Sequence, residues 1–340
     1  MALTPRQQLI LNVVSDLYIR QGTPVSSKAV AALAGLRVSP STVRNELSIL
    51  EEHGYLTHPH TSAGRVPTSL GYREFVEWIL RSRPVREAVS APDHLAAEVD
   101  DALQQTGEAM SQATNLLALV VAPQASGARV RHVELLGLQP NLVMVMFILA
   151  TGRVIKRIID FPAPVDPGMV EWAGSYLNES IGGCILSERL VRRVLTSPEL
   201  RPRELAFLQA LDPAFDKLIH QPAAESLYVG GASRLLSEAL FEDLTELRDL
   251  LHLLEERYVL LRMLRLALPS TGRVVVSIGE EHEEQELQRF SLVAASYGLP
   301  QRGLGTVSLL GPVRMDYENA IATVRGAAQV LSLFVEDRFE

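Results

Sequence analysis

Residues 38–68, VSPSTVRNELSILEEHGYLTHPHTSAGRVPT, constrain this chain more than any other stretch. Ser39-Pro40 places a capping residue before a proline at the first helical position, so a helix starts there. Val43, Leu47 and Leu50 form its apolar back, and Gly54 supplies its stop. The front carries Ser41, Thr42, Arg44, Asn45 and Ser48, side chains that suit base edges and phosphates. A helix meant only for solvent would carry more charge. Beyond Gly54 the polar stretch with Gly64-Arg65 near its tip predicts a hairpin.

The preceding residues complete a pattern. Thr4-Pro5-Arg6-Gln7 is a capping box with proline at the first position. Leu9, Val13 and Leu17, flanked by Ile10 and Val14, give one apolar face up to Gln21-Gly22. A second short helix is expected from Ser26-Ser27 through Val30 to Ala34, with Gly35 free to take a left-handed turn. Three helices in this rhythm followed by a hairpin imply a winged helix-turn-helix that binds duplex DNA.

Arg44 and Asn45 have the donors and acceptors for bidentate contacts to guanine and adenine edges. Ser39 or Ser41 is expected at a phosphate, where the free amides of a helix start already favour anions. Lys28 and Arg37 are further phosphate candidates, and Thr61 and Arg65 are placed on the wing. The plainer alternatives are a polar helix face and a solvated loop arginine.

A net charge of −8 at first opposes a nucleic-acid partner. Residues 1–75, however, carry +2 and the remainder −10. Exposed charges farther than roughly 8 Å are largely screened at physiological salt, so the acidic body lowers non-specific affinity without abolishing local contacts. The longest apolar run, Leu142 to Ala150, is nine residues and too short to span a bilayer as a helix. With no secretory start and one cysteine, Cys184, a cytoplasmic protein is expected.

Downstream, residues 68–81 read as a helix leaving the wing. Leu95, Val99, Ala102, Thr106, Met110, Ala113 and Leu117 mark an amphipathic helix that covers a sheet or pairs with a partner chain. Strand signals follow at 130–138, 142–150 and 154–160, the middle one apolar on both faces and so central. Helical patterns occupy 167–218 and 243–266, the latter with Leu247, Leu251, Leu254, Tyr258 and Leu261 in coiled-coil-like steps. Strands return at 274–278, 292–296 and 306–310 before a final helix from Asp316. The split predicts one sheet domain interrupted by an insertion.

Three long segments at the front, LTPRQQLILNVVSDLYIRQGTPVSSKAV, SPSTVRNELSILEEHGYLTHPHTSAGRVPT and GYREFVEW, resemble the HrcA family of bacterial heat-inducible repressors. So do YVGGASRLLSEALFEDL, SIGEEHEEQELQRFSLVAASY and LLGPVRMDYENAIATV farther on, so the resemblance covers nearly the whole chain. It departs at His282, where the family more often has Asn. The resemblance implies an α+β multidomain fold: a winged helix-turn-helix (1–83) and a GAF-like α/β sheet domain (84–188 and 273–340). A mostly helical dimerising domain (189–272) is inserted between its two segments, with the leucine steps above as its seam. It also implies a homodimer on an inverted-repeat operator of the CIRCE type ahead of chaperone operons, kept active by the GroEL chaperonin, with no cofactor.

Other clusters have ordinary explanations. His53 and His58-Pro59-His60 lack the ligand geometry of a metal site. The glutamates of 280–286 suit the first turn of a helix. Cys184 has no nucleophile partner and reads as a small buried residue, and Gly230-Gly231 lacks a phosphate-loop lysine. No enzyme is indicated. The competing readings are a regulator gated by a small molecule in the sheet domain and a module that binds only protein.

Overall fold

The structure, a computed structural model, describes residues 3–33, 39–59, 64–82, 99–122, 129–150, 154–185, 187–219, 227–232, 252, 254, 264, 273–299 and 302–339. Helix α1 (Pro5–Gln21) starts on the expected box: Gln7 N donates to Thr4 Oγ1 at 3.3 Å, and Thr4 N to Gln7 Oε1 at 3.0 Å. It ends at Gly22, whose φ of +68° is a left-handed stop. Helices α2 (Ser27–Leu33) and α3 (Pro40–Glu52) follow, then two short strands, β1 (Leu56–Thr57) and β2 (Val66–Pro67). Ile10, Leu11, Val14, Val30, Val43 and Leu50 are fully buried between the three helices. Gly35 lies outside the described residues.

Helix α4 (Ser69–Ser82) follows the wing, packs against α1 and joins the head to the body of the molecule. Its Tyr72, Phe75, Val76 and Ile79 enter the largest core, with helix α5 (Val99–Thr114) and a five-stranded sheet. That sheet contains β3 (Leu117–Val121), β7 (Leu227–Gly230), β8 (Val274–Ile278), β9 (Phe290–Leu299) and β10 (Arg302–Pro312). Its order is β7-β3-β10-β9-β8, antiparallel throughout. Helices α5 and α10 (Tyr317–Phe339) cover one face. The other face buries Leu117, Leu119, Leu292 and Leu310 beneath Leu254 and Leu264. A sheet covered on both sides explains why nearly all of β9 is buried.

Between β3 and β7 the chain builds a second sheet from β4 (Val130–Gln139), β5 (Leu142–Leu149) and β6 (Val154–Asp160), with β5 in the middle. Helices α6 (Pro167–Ile181), α7 (Glu188–Leu195), α8 (Pro202–Ala210) and α9 (Asp212–Ile219) close one side of it. Phe147 and Phe215 meet edge to face there at 5.0 Å. The opposite face is open and sets apolar rows beside His132, Glu134, Lys156 and Asp160. Leu136, Met144 and Ile158 form one cross-strand row, and Ile148 and Val154 another. Val154 and Ile158 are 53% and 59% exposed.

Several sequence expectations need correction. The strands at 130–160 do not share a sheet with those at 274–310, and the segment between β3 and β7 begins with a sheet rather than with helices. The hydrogen-bonded sheets therefore divide the chain differently from 84–188, 189–272 and 273–340. Alternating hydrophobicity identifies strands but carries no information on which strand they pair with. Leu117 opens β3 instead of closing α5, because Asn115 turns the chain at φ +56°. Leu254 is half-buried and packs against the apolar face of the five-stranded sheet. Leu247, Leu251, Tyr258 and Leu261 lie outside the described residues. Of the glutamates of 280–286, Glu280 and Glu281 lie on the 3-10 turn Gly279–Glu281, Glu286 on Gln285–Leu287, and Glu283 and Glu284 between them, while Cys184 is half-buried in the turn after α6.

Gly230-Gly231 is explained by close packing. A side chain at Gly230 would meet the Gly107 carbonyl of α5 at 2.8 Å, and Gly231 adopts φ +84°. His282, 6% exposed, holds Nδ1 3.3 Å from Ser277 Oγ and lies against the Phe290 backbone. Burial holds this imidazole below its ordinary 6.5, against the pull of Glu281 and Glu284. Between that lowered value and 6.5 the unfolded chain binds more protons, so stability falls as the pH drops through this window. Urea midpoints at about pH 5 and about pH 7.5 measure the loss, and His282→Asn is expected to shrink it. An unchanged difference in the variant would assign the acid sensitivity to other groups.

Candidate nucleic-acid interface

The start of α3 is organised by hydroxyl groups. Ser39 Oγ accepts from Thr42 N at 3.3 Å and lies 2.6 Å from Ser41 Oγ and 3.1 Å from Thr42 Oγ1. Ser39 and Thr42 are thus engaged in capping, whereas Ser41, Arg44 and Asn45 are exposed along one front. Ser48 is half-buried, and its hydroxyl donates back to the Arg44 carbonyl at 3.2 Å. Glu46 is held on the α1 side by Gln7 Nε2 at 3.1 Å and Arg6 Nη1 at 3.6 Å. This keeps one acid off the front. Lys28 is exposed on α2. Arg37 and Thr61 lie outside the described residues.

Arg65 departs from expectation. Instead of extending from the wing, its guanidinium turns back to α3, with Nη2 2.6 Å from Glu51 Oε2. His58 bonds the other oxygen of the same carboxylate. Nothing in the hairpin sequence singles out Glu51, whose only signal is its position two turns after Arg44 on the same side of the helix.

Among the described residues, two arginines fasten the head to the body. Arg73 of α4 donates from Nε to Glu281 Oε1 at 2.6 Å and from Nη2 to the Val276 carbonyl at 2.7 Å. Its Nη2 also pairs with Glu281 Oε2. Arg314, after β10, lies over the Tyr18 ring of α1 at 5.8 Å and against Gly22. These joints set where the front of α3 faces.

The described cavities, of about 430 and 410 Å³, lie along α7 and α9 and do not adjoin the five-stranded sheet. Among the described residues no group of three His, Cys, Asp or Glu side chains is arranged for a metal ion. No helix among them is long and apolar enough to cross a membrane.

Residues 2–77 match the winged helix-turn-helix DNA-binding domain of the HrcA transcription repressors, and residues 100–321 match the HrcA C-terminal domain. The chain belongs to the HrcA family. A heat-inducible transcription repressor HrcA of Parafrankia sp. (strain EAN1pec) is 36% identical, with 96% of this chain and 97% of that protein aligned. The HrcA repressor of Cutibacterium acnes (strain DSM 16379 / KPA171202) is 34% identical over 98% and 99% of the two chains. The fold also matches a crystal structure at 2.2 Å resolution of a protein described only as hypothetical. That match has a TM-score of 0.70 and 23% identity, over 99% of this chain and all of the other. The HrcA winged-helix domain and the covered GAF-like sheet are thus two of the three parts of the fold that the sequence resemblance implied.

Proposed function

We propose that this HrcA family member represses chaperone operons as a homodimer bound to a CIRCE-type inverted repeat, with the GroEL chaperonin maintaining its active form. The observation that carries the reading is the capped α3 with Ser41, Arg44 and Asn45 exposed on one front and Glu46 drawn away from it. In a winged helix-turn-helix, that front enters the major groove, where Arg and Asn read guanine and adenine. Lys28 serves as a phosphate contact beside it. One head covers one half-site, so an inverted repeat calls for two heads related by a two-fold axis, roughly 34–36 Å or a multiple apart.

The open face of β4-β5-β6 supports the homodimer. Its apolar rows flank Glu134 on one edge strand, which also pairs with His132 at 2.9 Å, and Lys156 on the other, both in register with Met146. A two-fold axis along β5 sets Glu134 of each protomer over Lys156 of the other, as a self-complementary interface requires. The chaperonin enters through the family resemblance, and its physical role is to raise the fraction of binding-competent repressor. A repressor of this kind works on chromosomal DNA in the cytoplasm.

Fluorescence anisotropy of the folded chain on a CIRCE-type duplex and a shuffled one, over a salt series with and without GroEL, tests the reading. Selective binding that GroEL increases is expected. Absence of selectivity in both conditions overturns the operator assignment, and retained chaperonin binding alone would favour a protein-binding module. Lys28→Ala is expected to weaken both duplexes alike and to reduce the salt slope by about one. A loss confined to the operator would make Lys28 a base reader instead.

A further inference from the structure

The recognition helix ends in an acid that DNA reading leaves unexplained. Glu51 continues the row of Arg44 and Ser48, where a bare carboxylate would repel phosphate. Both of its oxygens are occupied: Oε2 takes Arg65 Nη2 at 2.6 Å, and Oε1 takes His58 Nδ1. His58 directly follows β1 and Arg65 directly precedes β2. One carboxylate therefore ties both strands of the wing to the end of α3. The backbone of Arg65 is anchored too, exchanging hydrogen bonds with Val25 at 2.8 and 2.9 Å. Gly64 fits so closely there that an added Cβ would lie 2.4 Å from the Val25 carbonyl oxygen. The Arg65 side chain is only 24% exposed, and its Nε is buried without a hydrogen-bond partner among the described residues. It is built into the joint rather than extended toward solvent.

We infer that Glu51 is the positioning residue of the wing, setting the angle between the β1-β2 hairpin and the recognition helix through Arg65 and His58. Arg65 has a second effect: its charge cancels that of Glu51, so the end of the reading row presents no net negative charge to the duplex. The inference assigns His58 to a clamp, a role that neither a metal site nor a polar wing tip describes. It also moves Arg65 from the set of direct DNA contacts to the set that acts through another residue. The inference rests on the DNA-binding reading above, and it adds the source of the wing's fixed pose.

The test compares the full chain with Glu51→Gln, Arg65→Met and the double variant, on the CIRCE-type and shuffled duplexes over a salt series. Thermal melts are recorded so that binding is compared where every variant is folded. Each single variant is expected to lower operator affinity about tenfold, with little change on the shuffled duplex for Glu51→Gln and a smaller loss there for Arg65→Met, which bares the carboxylate, and the double variant to lose no more than the worse single. A folded protein with an ordinary surface ion pair removed would show no such loss of selectivity. Should Glu51→Gln melt below the assay temperature, Arg65→Met tests the same pair from its other side. Higher operator affinity in Glu51→Gln overturns the inference, because Arg65 would then be a masked phosphate contact. So does a salt slope lowered by about one in Arg65→Met with Glu51→Gln unchanged. If the unaltered chain does not discriminate the duplexes, the operator reading fails and the inference with it. Discrimination that Glu51→Gln leaves intact removes the inference alone.

Discussion

Val154→Asp and Ile158→Asp together are expected to separate the protomers and to lower operator affinity by about 10²–10⁴-fold. Both side chains lie on the open face of the three-stranded sheet, at 53% and 59% exposure, so the substitutions cost the monomer little. In the proposed dimer they place a carboxylate against apolar side chains, which burial penalises heavily. The fall in affinity comes from losing the link between the two heads, since each α3 front is untouched. Sedimentation at assay concentration and operator binding on the same samples measure both parts. A dimer that persists moves the interface to another surface. A monomer that still binds the full inverted repeat as tightly would show that one head suffices.

Asn45→Ala and Arg44→Ala are each expected to cost about 1–3 kcal/mol at the cognate site and to relax discrimination at the base each one reads. Both side chains are exposed and neither supports the head core, so melting temperature should stay near that of the unaltered chain. Anisotropy on operators with single base-pair changes locates the loss. If the alanine variants lose the same affinity on every duplex, the two residues hold backbone and do not read sequence. Operator affinities equal to that of the unaltered chain would remove α3's front from the interface.

The head was legible from local chemistry. Thr4-Pro5 and Ser39-Pro40 mark helix starts through their own caps, and Gly22 and Gly54 mark stops through positive φ. Such signals act within four residues, which is why α1, α2 and α3 lie where they were expected. The body was legible only in pieces. β3, LALVV, is a short apolar run next to a helix, without the alternation that identifies a half-buried strand. Its partner β7 comes about a hundred residues later, and no local pattern joins them. The three strands at 130–160 were found, but their separate sheet was not, because periodicity is blind to pairing. At the interface the exposed front was readable, whereas the Glu51–Arg65 pair spans a hairpin whose folding alone brings the two together.

Helix α4 follows directly from the second wing strand, yet its apolar face is sealed into the body and Arg73 grips Glu281 and the Val276 carbonyl. The reading head is therefore not a bead on a string. Its orientation is settled when the chain folds, and the entropy of aiming it is lost then, outside the binding equilibrium. Such a repressor meets the duplex as a gauge of fixed dimensions. In the proposed dimer on an inverted repeat, that leaves little slack for half-sites at any separation but the one its own architecture dictates.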